Sequence, residues 1–297
     1  MAVTAESLRE RCAQEMDRNP RGFAGCSWLR KAFLEVPREH FVPDKVWWPA
    51  PGEDGRYALI DRAVKPWAWL KATYRPGVAL ITQIDDGAVA TTGPATGAFT
   101  SSISAPGVVI ELLRHLAPEP GETILELGTG TGYTTALLAH RTGAAGVTTV
   151  EIDAEIAARA RSRLKSLGMD PRVITGDGEQ GQADGGPYDR IVSTASVRQV
   201  PAAWLRQLKR GGVLVTPLDS PFGCDLLVRL VSDGRGRAVG VPVAQVEFMR
   251  VRSQREPRPY EDLGWPAQLA PARWMDLRIT ADEAGQHITA VTASADR

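Results

Sequence analysis

Residues 123–133 read TILELGTGTGY. An apolar strand, TILEL, runs without a break into Gly128-Thr129-Gly130-Thr131-Gly132, and helical spacing follows over Thr134–Arg141. Glycines belong at such a turn because it is tight and because the backbone must come close to a ligand at the carboxyl edge of the first strand. Beyond it the same texture repeats. GVTTVEI (146–152), RVITG (172–176), YDRIVSTA (188–195) and GGVLVTP (211–217) read as strands, with helices at Ala154–Leu167 and around Trp204–Leu208 among them. An apolar helix covers 108–116 on the N-terminal side. The alternation predicts an α/β, Rossmann-like core whose sheet is mostly parallel and doubly wound, with helices on both faces. DLLVRLVS (225–232) and VPVAQVEFMRV (241–251) read as antiparallel C-terminal strands.

The flanks differ in texture. Residues 1–45 are expected to form an N-terminal helical cap, since Leu8, Cys12 and Met16 recur at helical spacing ahead of the proline-bounded VPREHFVP (36–43). Between 46 and 100 the chain is rich in Trp, Pro and Gly, and VALITQI (78–84) and AVATT (88–92) about Asp86-Gly87 predict an inserted β-hairpin. Trp47-Trp48 and Trp67/Trp69 suit either a peptide groove or, more commonly, the anchoring of a loop. The expected organisation is a cap and hairpin region over 1–105, a cofactor-binding core over 106–254 and a C-terminal extension over 255–297.

Composition excludes several classes. With 297 residues, 43% hydrophobic content and zero formal net charge, nothing draws the chain to nucleic acid or anionic lipid. The opening MAVTAESLRERCAQ carries charges where a secretory signal needs an apolar run, and no later run has the length of a membrane span. A soluble, cytoplasmic protein without nucleic-acid or membrane partners is expected. Cys12, Cys26 and Cys224 are scattered, so neither a disulfide framework nor a metal site is expected. His40, His115, His140 and His287 are isolated and read as surface or packing residues.

The glycine turn has an informative context. Glu151 ends the strand after it, placed to accept both hydroxyls of a ribose. A dinucleotide fingerprint needs its third glycine where this chain has Tyr133, so the GxGxG spacing suits a cofactor without a pyrophosphate. Glu126 would repel a pyrophosphate and can help hold a methionine ammonium. Asp177-Gly178, after the third strand, falls where an adenine amino group is met. S-adenosylmethionine is therefore the expected cofactor; a dehydrogenase, or a turn flanked by solvated acids, are the alternatives.

The anchors across roughly residues 33–252 resemble the protein-L-isoaspartate O-methyltransferase family. VPREHFVP is similar to its N-terminal signature, Ser102-Ile103-Ser104-Ala105-Pro106 to its active-site segment, ILELGTGTGY to its cofactor loop and GDGEQG to its adenine segment. PYDRIVSTAS and LRQLKRGGVLVTPL resemble the strand-helix-strand that follows. The resemblance implies a class I methyltransferase in which Ser104, with Ser102 in place of the usual threonine, sits at the catalytic junction. It implies cofactor positions at Glu126, Gly128, Gly130, Gly132, Tyr133, Glu151, Asp177 and Gly178. Taken alone, Ser102 and Ser104 read as turn or capping residues before a proline-initiated helix.

Departures fall on the substrate side. Ala195-Ser196-Val197-Arg198 and Met249-Arg250-Val251-Arg252 replace the family's usual segments, and Ser196, Arg198, Arg250 and Arg252 become candidate substrate contacts. The segment between Arg62 and Ser101 and the tail after 255 exceed the compact repair enzyme. Such elongation resembles members that modify ribosomally made peptides, lanthipeptides and ATP-grasp-ligated peptides among them. The expected activity is esterification of an Asp carboxylate in a precursor peptide, leading to succinimide or isoaspartate. Repair of isoaspartyl residues in proteins is the rival reading, and a non-catalytic cofactor-binding scaffold a distant third.

Overall fold

The computed structural model describes residues 4–269 and 273–290 and divides into two compact units. The first comprises residues 1–114, 129–145 and 153–171. It opens with α1 (Ala5–Asp17), α2 (Ser27–Glu35) and α3 (Arg38–Phe41), the expected cap helices. Thr4 and Ser7 exchange side-chain-to-backbone hydrogen bonds that satisfy the exposed N–H groups of the first turn. Arg9 of α1 joins the three helices, donating to the Leu34 carbonyl at 2.7 Å and to the Glu39 carboxylate at 2.9 Å.

Next come β1 (Lys45–Pro51), β2 (Tyr57–Asp61), α4 (Pro66–Thr73), β3 (Leu80–Ile84) and β4 (Phe99–Ile103). The strands form an antiparallel sheet in the order β2-β1-β3-β4 around Trp47, Ile81 and Ile84. This corrects the hairpin reading. Ala88–Thr92 forms no strand, and β3 pairs instead with β4, eleven residues further on in β4's Phe99 than the predicted Ala88 start. The reason is burial: none of residues 88–92 is buried, whereas β4 turns Ser101 and Ile103 inward at alternate positions. Asp85, Asp86 and Gly87 all take positive φ, and the chain leaves β3 there. Trp47 and Trp69 are loop anchors, their indole N–H groups donating to the Gly93 and Pro43 carbonyls at 2.9 and 2.8 Å. The helices α5 (Pro106–Leu116), α6 (Tyr133–Thr142) and α7 (Ala154–Ser166) follow the predicted spans closely.

The second unit comprises residues 115–128, 146–152 and 172–297. Its elements are β5 (Ile124–Leu127), β6 (Val147–Glu151), β7 (Arg172–Thr175), β8 (Tyr188–Ser193), α8 (Ala202–Arg206), β9 (Leu208–Asp219), β10 (Asp225–Ser232), β11 (Ala238–Val246), β12 (Leu277–Asp282) and β13 (Gly285–Ala290). One nine-stranded sheet runs β13-β12-β11-β10-β9-β8-β5-β6-β7. The pairs from β7 to β9 are parallel and those from β9 to β13 antiparallel. β5 and β6 are buried at every residue, as parallel central strands must be, while β11 alternates buried and open positions.

The C-terminal extension, expected only as a segment beyond the core, carries β12 and β13, which extend the sheet. Leu277, Ile279 and Ala281 are buried at period two, and Ala238–Gly240 pair with Ile279–Ala281. Residues 270–272 and 291–297 of that extension lie outside the described residues. Among the described residues no helix is long and apolar enough to cross a membrane, and no His/Cys/Asp/Glu group can hold a metal ion. Cys12, Cys26 and Cys224 form no disulfide.

Candidate active site

From β5 the chain steps to β6 and β7 on one side and to β8 and β9 on the other, so strand order reverses at β5. Ligands of open α/β sheets bind outside the carboxyl ends of the strands at such a reversal. Gly128 stands there, its N–H donating to the Val150 carbonyl at 2.8 Å. Its φ is +93°, and a Cβ would come 2.5 Å from the Thr194 hydroxyl, which bonds back to the Gly128 carbonyl. Only glycine fits.

Two of the predicted acids of this unit, Glu151 and Asp177, lie along the same edge, whereas Glu126 lies inside β5 opposite Thr149. Glu151 closes β6 and is 8% exposed, and its carbonyl accepts from Gly176 N–H at 2.9 Å, aligning the end of β7. Asp177 follows, half-buried, and accepts from the Glu179 N–H at 3.0 Å. Trp204 of α8 holds the neighbouring segment through an indole N–H to the Gly178 carbonyl at 2.8 Å. Glu126 is fully buried and accepts from the Thr149 hydroxyl at 2.8 Å.

In the first unit Gly130 and Gly132 continue the turn with φ of +53° and +91°, and Gly132 caps α6. Tyr133 turns its ring inward: it is 2% exposed, 5.8 Å from the Phe41 ring and 4.9 Å below the Arg38 guanidinium. It can therefore offer a ligand only its backbone. Burial pushes its phenol above the usual tyrosine range, so the ring stays neutral. Ser102 lies in β4 opposite Ile81, and Ser104 follows as a half-buried residue just before Pro106 opens α5. Among the described residues the Ser104 hydroxyl has no hydrogen-bond partner, whereas its carbonyl accepts from Arg38 at 2.7 Å.

Arg38 was not singled out by sequence, although it lies in the quoted VPREHFVP. It is fully buried and spans two carbonyls, those of Thr73 at 2.9 Å and Ser104. Burial holds its guanidinium below the ordinary arginine range. Sequence also missed the Gln83 amide, which donates to Asp153 at 2.8 Å and ties β3 to the cap of α7.

The substrate-side candidates lie in the second unit. Ser196 donates to Asp225 at 2.7 Å, and Arg250 binds Ser196 at 2.6 Å, Asp225 at 3.1 Å and Asp219 at 2.9 Å. Arg198 binds Asp219 at 2.6 Å and the Gln254 carbonyl at 3.0 Å. Two guanidiniums are thus matched by two carboxylates of the same chain. Arg252 begins a short 3-10 turn beside them and is half-buried.

Taken by its donor set, the edge fits S-adenosylmethionine: a glycine cradle that a Cβ would fill, followed by two acids at successive strand ends. Comparison with known proteins agrees. A family model described as protein-L-isoaspartate(D-aspartate) O-methyltransferase matches residues 89–256. The protein-L-isoaspartate O-methyltransferase of Ignicoccus hospitalis is 40% identical over 152 residues, covering 50% of this chain and 72% of that relative. That of Methanothermobacter thermautotrophicus is 34% identical over 215 residues, covering 72% of this chain and 81% of the relative. A solved protein-L-isoaspartate O-methyltransferase superposes with a TM-score of 0.60 at 22% identity, over 82% of this chain and 65% of that one. A Plasmodium falciparum structure in complex with S-adenosyl-L-homocysteine gives a TM-score of 0.59 at 17% identity, over 85% and 100%. At those identities the structures speak for the fold alone, a class I methyltransferase fold.

Proposed function

Because this chain belongs to the protein-L-isoaspartate(D-aspartate) O-methyltransferase family, and so is an S-adenosylmethionine-dependent carboxyl O-methyltransferase, we propose that its acceptor is the carboxylate of an isoaspartyl residue in a peptide or protein. The relatives' names favour this repair-type acceptor over the aspartate of a dedicated precursor peptide. The observation that carries it is Ser104: a half-buried residue with its carbonyl fixed by Arg38 and its hydroxyl left for a ligand.

A carboxylate with an ordinary pKa near 4 is ionised at neutral pH and needs no general base. Two of the histidines are engaged with other groups: His140 bonds to Glu35 and His40 to the Arg163 carbonyl. Bound S-adenosylmethionine supplies an electrophilic methyl group. Ser104 donates its hydroxyl hydrogen bond to one carboxylate oxygen and so aims the other. Positioning of this kind can supply several kcal/mol, up to roughly 7–11 in well-aligned intramolecular reactions. Glu151 would hold the ribose hydroxyls, Asp177 the adenine amino group and the glycine backbone the methionine portion. Once formed, the ester has a far better leaving group than a carboxylate. The following backbone nitrogen closes a succinimide, methanol leaves, and water opens the ring to aspartate or isoaspartate.

Labelled S-adenosylmethionine tests the assignment. Peptides identical except for Asp or isoAsp at one position should take up label only as the isoAsp form. Label in the Asp form alone would replace this reading with the precursor-peptide one. That second reading rests on the family match ending at 89 and 256, which leaves β1, β2, β3 and the β12–β13 pair outside it.

A further inference from the structure

The first unit contains a cavity of about 290 Å³ that reaches the glycine turn at Gly130 and carries cations to which the methyl-transfer chemistry assigns no role. Lys45 of β1 and Arg159 and Arg163 of α7 line it, together with the hydroxyl-bearing Thr82, Ser101 and Thr131. Arg159 and Arg163, four residues apart, share one face of α7. Lys45 has Asp61 at 3.6 Å, and Arg159 has Glu155 at 3.2 Å, a carboxylate that is 83% exposed. Arg163 is half-buried, and among the described residues no carboxylate pairs with it. Three cations therefore face two paired acids, and because nearby Asp44 is itself paired with Arg62 at 3.3 Å, one positive charge at the cavity is left over. Burial holds the Arg163 guanidinium below the usual arginine range; Arg159 adds to this by like-charge repulsion, and Asp44 opposes it. An anion seated there would relieve both effects.

The cavity's position indicates which anion. Ser101 on its wall lies in β4, three residues before Ser104. Three residues of chain, at about 3.3 Å each when extended, limit the Ser101–Ser104 separation to ~10 Å or less, within the reach of roughly three residues of an extended peptide. Elsewhere, the arginines Arg198 and Arg250 are already neutralised by Asp219 and Asp225 and offer no comparable charge. We propose that the cavity lined by Lys45, Arg159 and Arg163 binds an acidic side chain of the peptide substrate, within about three residues of the methylated one, and so selects acidic sequences. This rests on the proposed peptide acceptor.

The test uses the full chain with S-adenosylhomocysteine present and two fluorescein-labelled isoAsp peptide sets, one with Glu and one with Gln at each of the three positions on either side. Anisotropy should show at least one Glu peptide binding about tenfold tighter than its Gln twin, as expected for a charge-assisted contact. The preference should shrink at high salt, vanish in Arg163→Gln and be retained in part by Arg163→Lys. Calorimetric titration of S-adenosylhomocysteine should give the same affinity for wild type and Arg163→Gln. Equal binding of Glu and Gln peptides by the wild type would overturn the proposal, and needs no variant to fold. So would a loss of S-adenosylhomocysteine affinity in Arg163→Gln, which would give the cavity to the cofactor's carboxylate. Failure of the acceptor reading shows separately, as bound peptides that take up no labelled methyl group.

Discussion

In the proposed reaction Ser104 and Arg38 divide one task between them. The serine carries the donor, and the arginine fixes the backbone from which that donor projects. Ser104→Ala removes a hydrogen bond to a charged group, worth about 1.5–3 kcal/mol, so kcat/KM should fall roughly ten- to a hundredfold. Labelled methyl transfer measures it, with S-adenosylhomocysteine affinity unchanged; an undiminished rate would remove Ser104 from the reaction. Arg38→Lys keeps the charge but loses the planar fork that reaches both the Thr73 and Ser104 carbonyls. It should lower kcat by about tenfold or more through misplacement of the serine. Because a purely structural arginine would lower stability alone, the informative comparison is kcat at a temperature where circular dichroism shows the variant fully folded. Ser104 was legible in the sequence only through the SISAP segment. Arg38 was not, because a buried arginine contacting carbonyls has no local signature: its partners are 35 and 66 residues away.

The elements show where patterning is a sufficient guide and where it fails. The parallel strands were readable because β5 and β6 are short runs rich in Val, Ile, Leu and Thr beside glycines, and the sheet's ligand-binding edge follows from their order. β1 was invisible: Pro49 and Pro51 argue against a strand, and the sheet accommodates them by an irregular register between Trp47 and Pro51. Asp86-Gly87 has the composition of a hairpin turn, yet the strand that pairs with β3 is the one that buries Ser101 and Ile103 and not Ala88–Thr92. β12 was hidden among its Trp- and Pro-rich neighbours despite clean alternation. Two variants probe these elements. Gly128→Ala sets a Cβ against Thr194 and strains a φ of +93°, so titration should show S-adenosylhomocysteine binding weakened at least tenfold. Retained affinity would mean that the turn is not a cofactor cradle. Ile279→Ala in β12, at 0% exposure, should cost about 2–4 kcal/mol in urea unfolding if the extension is part of the sheet's core.

For the molecule as a whole, zero net charge means that attraction for a partner comes from local imbalance, as at Arg163, and that the pH response comes from buried groups. Three of these, Cys12, Tyr74 and Tyr133, belong to the first unit. Burial pushes the Cys12 thiol from 9.0 up to about 12, against a lowering influence of Arg38. Burial likewise raises both phenols, with the hydrogen bond to Glu39 adding to the effect at Tyr74. Each group is neutral when protonated and holds its proton more tightly folded than unfolded. Above about pH 9 the unfolded chain therefore binds fewer protons, so stability present below that pH declines as pH rises toward the folded values. At about pH 10.5 the Cys12 shift alone amounts to roughly 2 kcal/mol. Urea midpoints should accordingly hold between about pH 7 and pH 8.5 and drop steadily above, while Cys12→Ala should flatten part of that slope. In the same window a thiol reagent should leave Cys12 unmodified in the native protein and label it on unfolding. Rapid native labelling of Cys12 near pH 9, or a midpoint indifferent to alkali, would contradict a thiol held protonated in that interior.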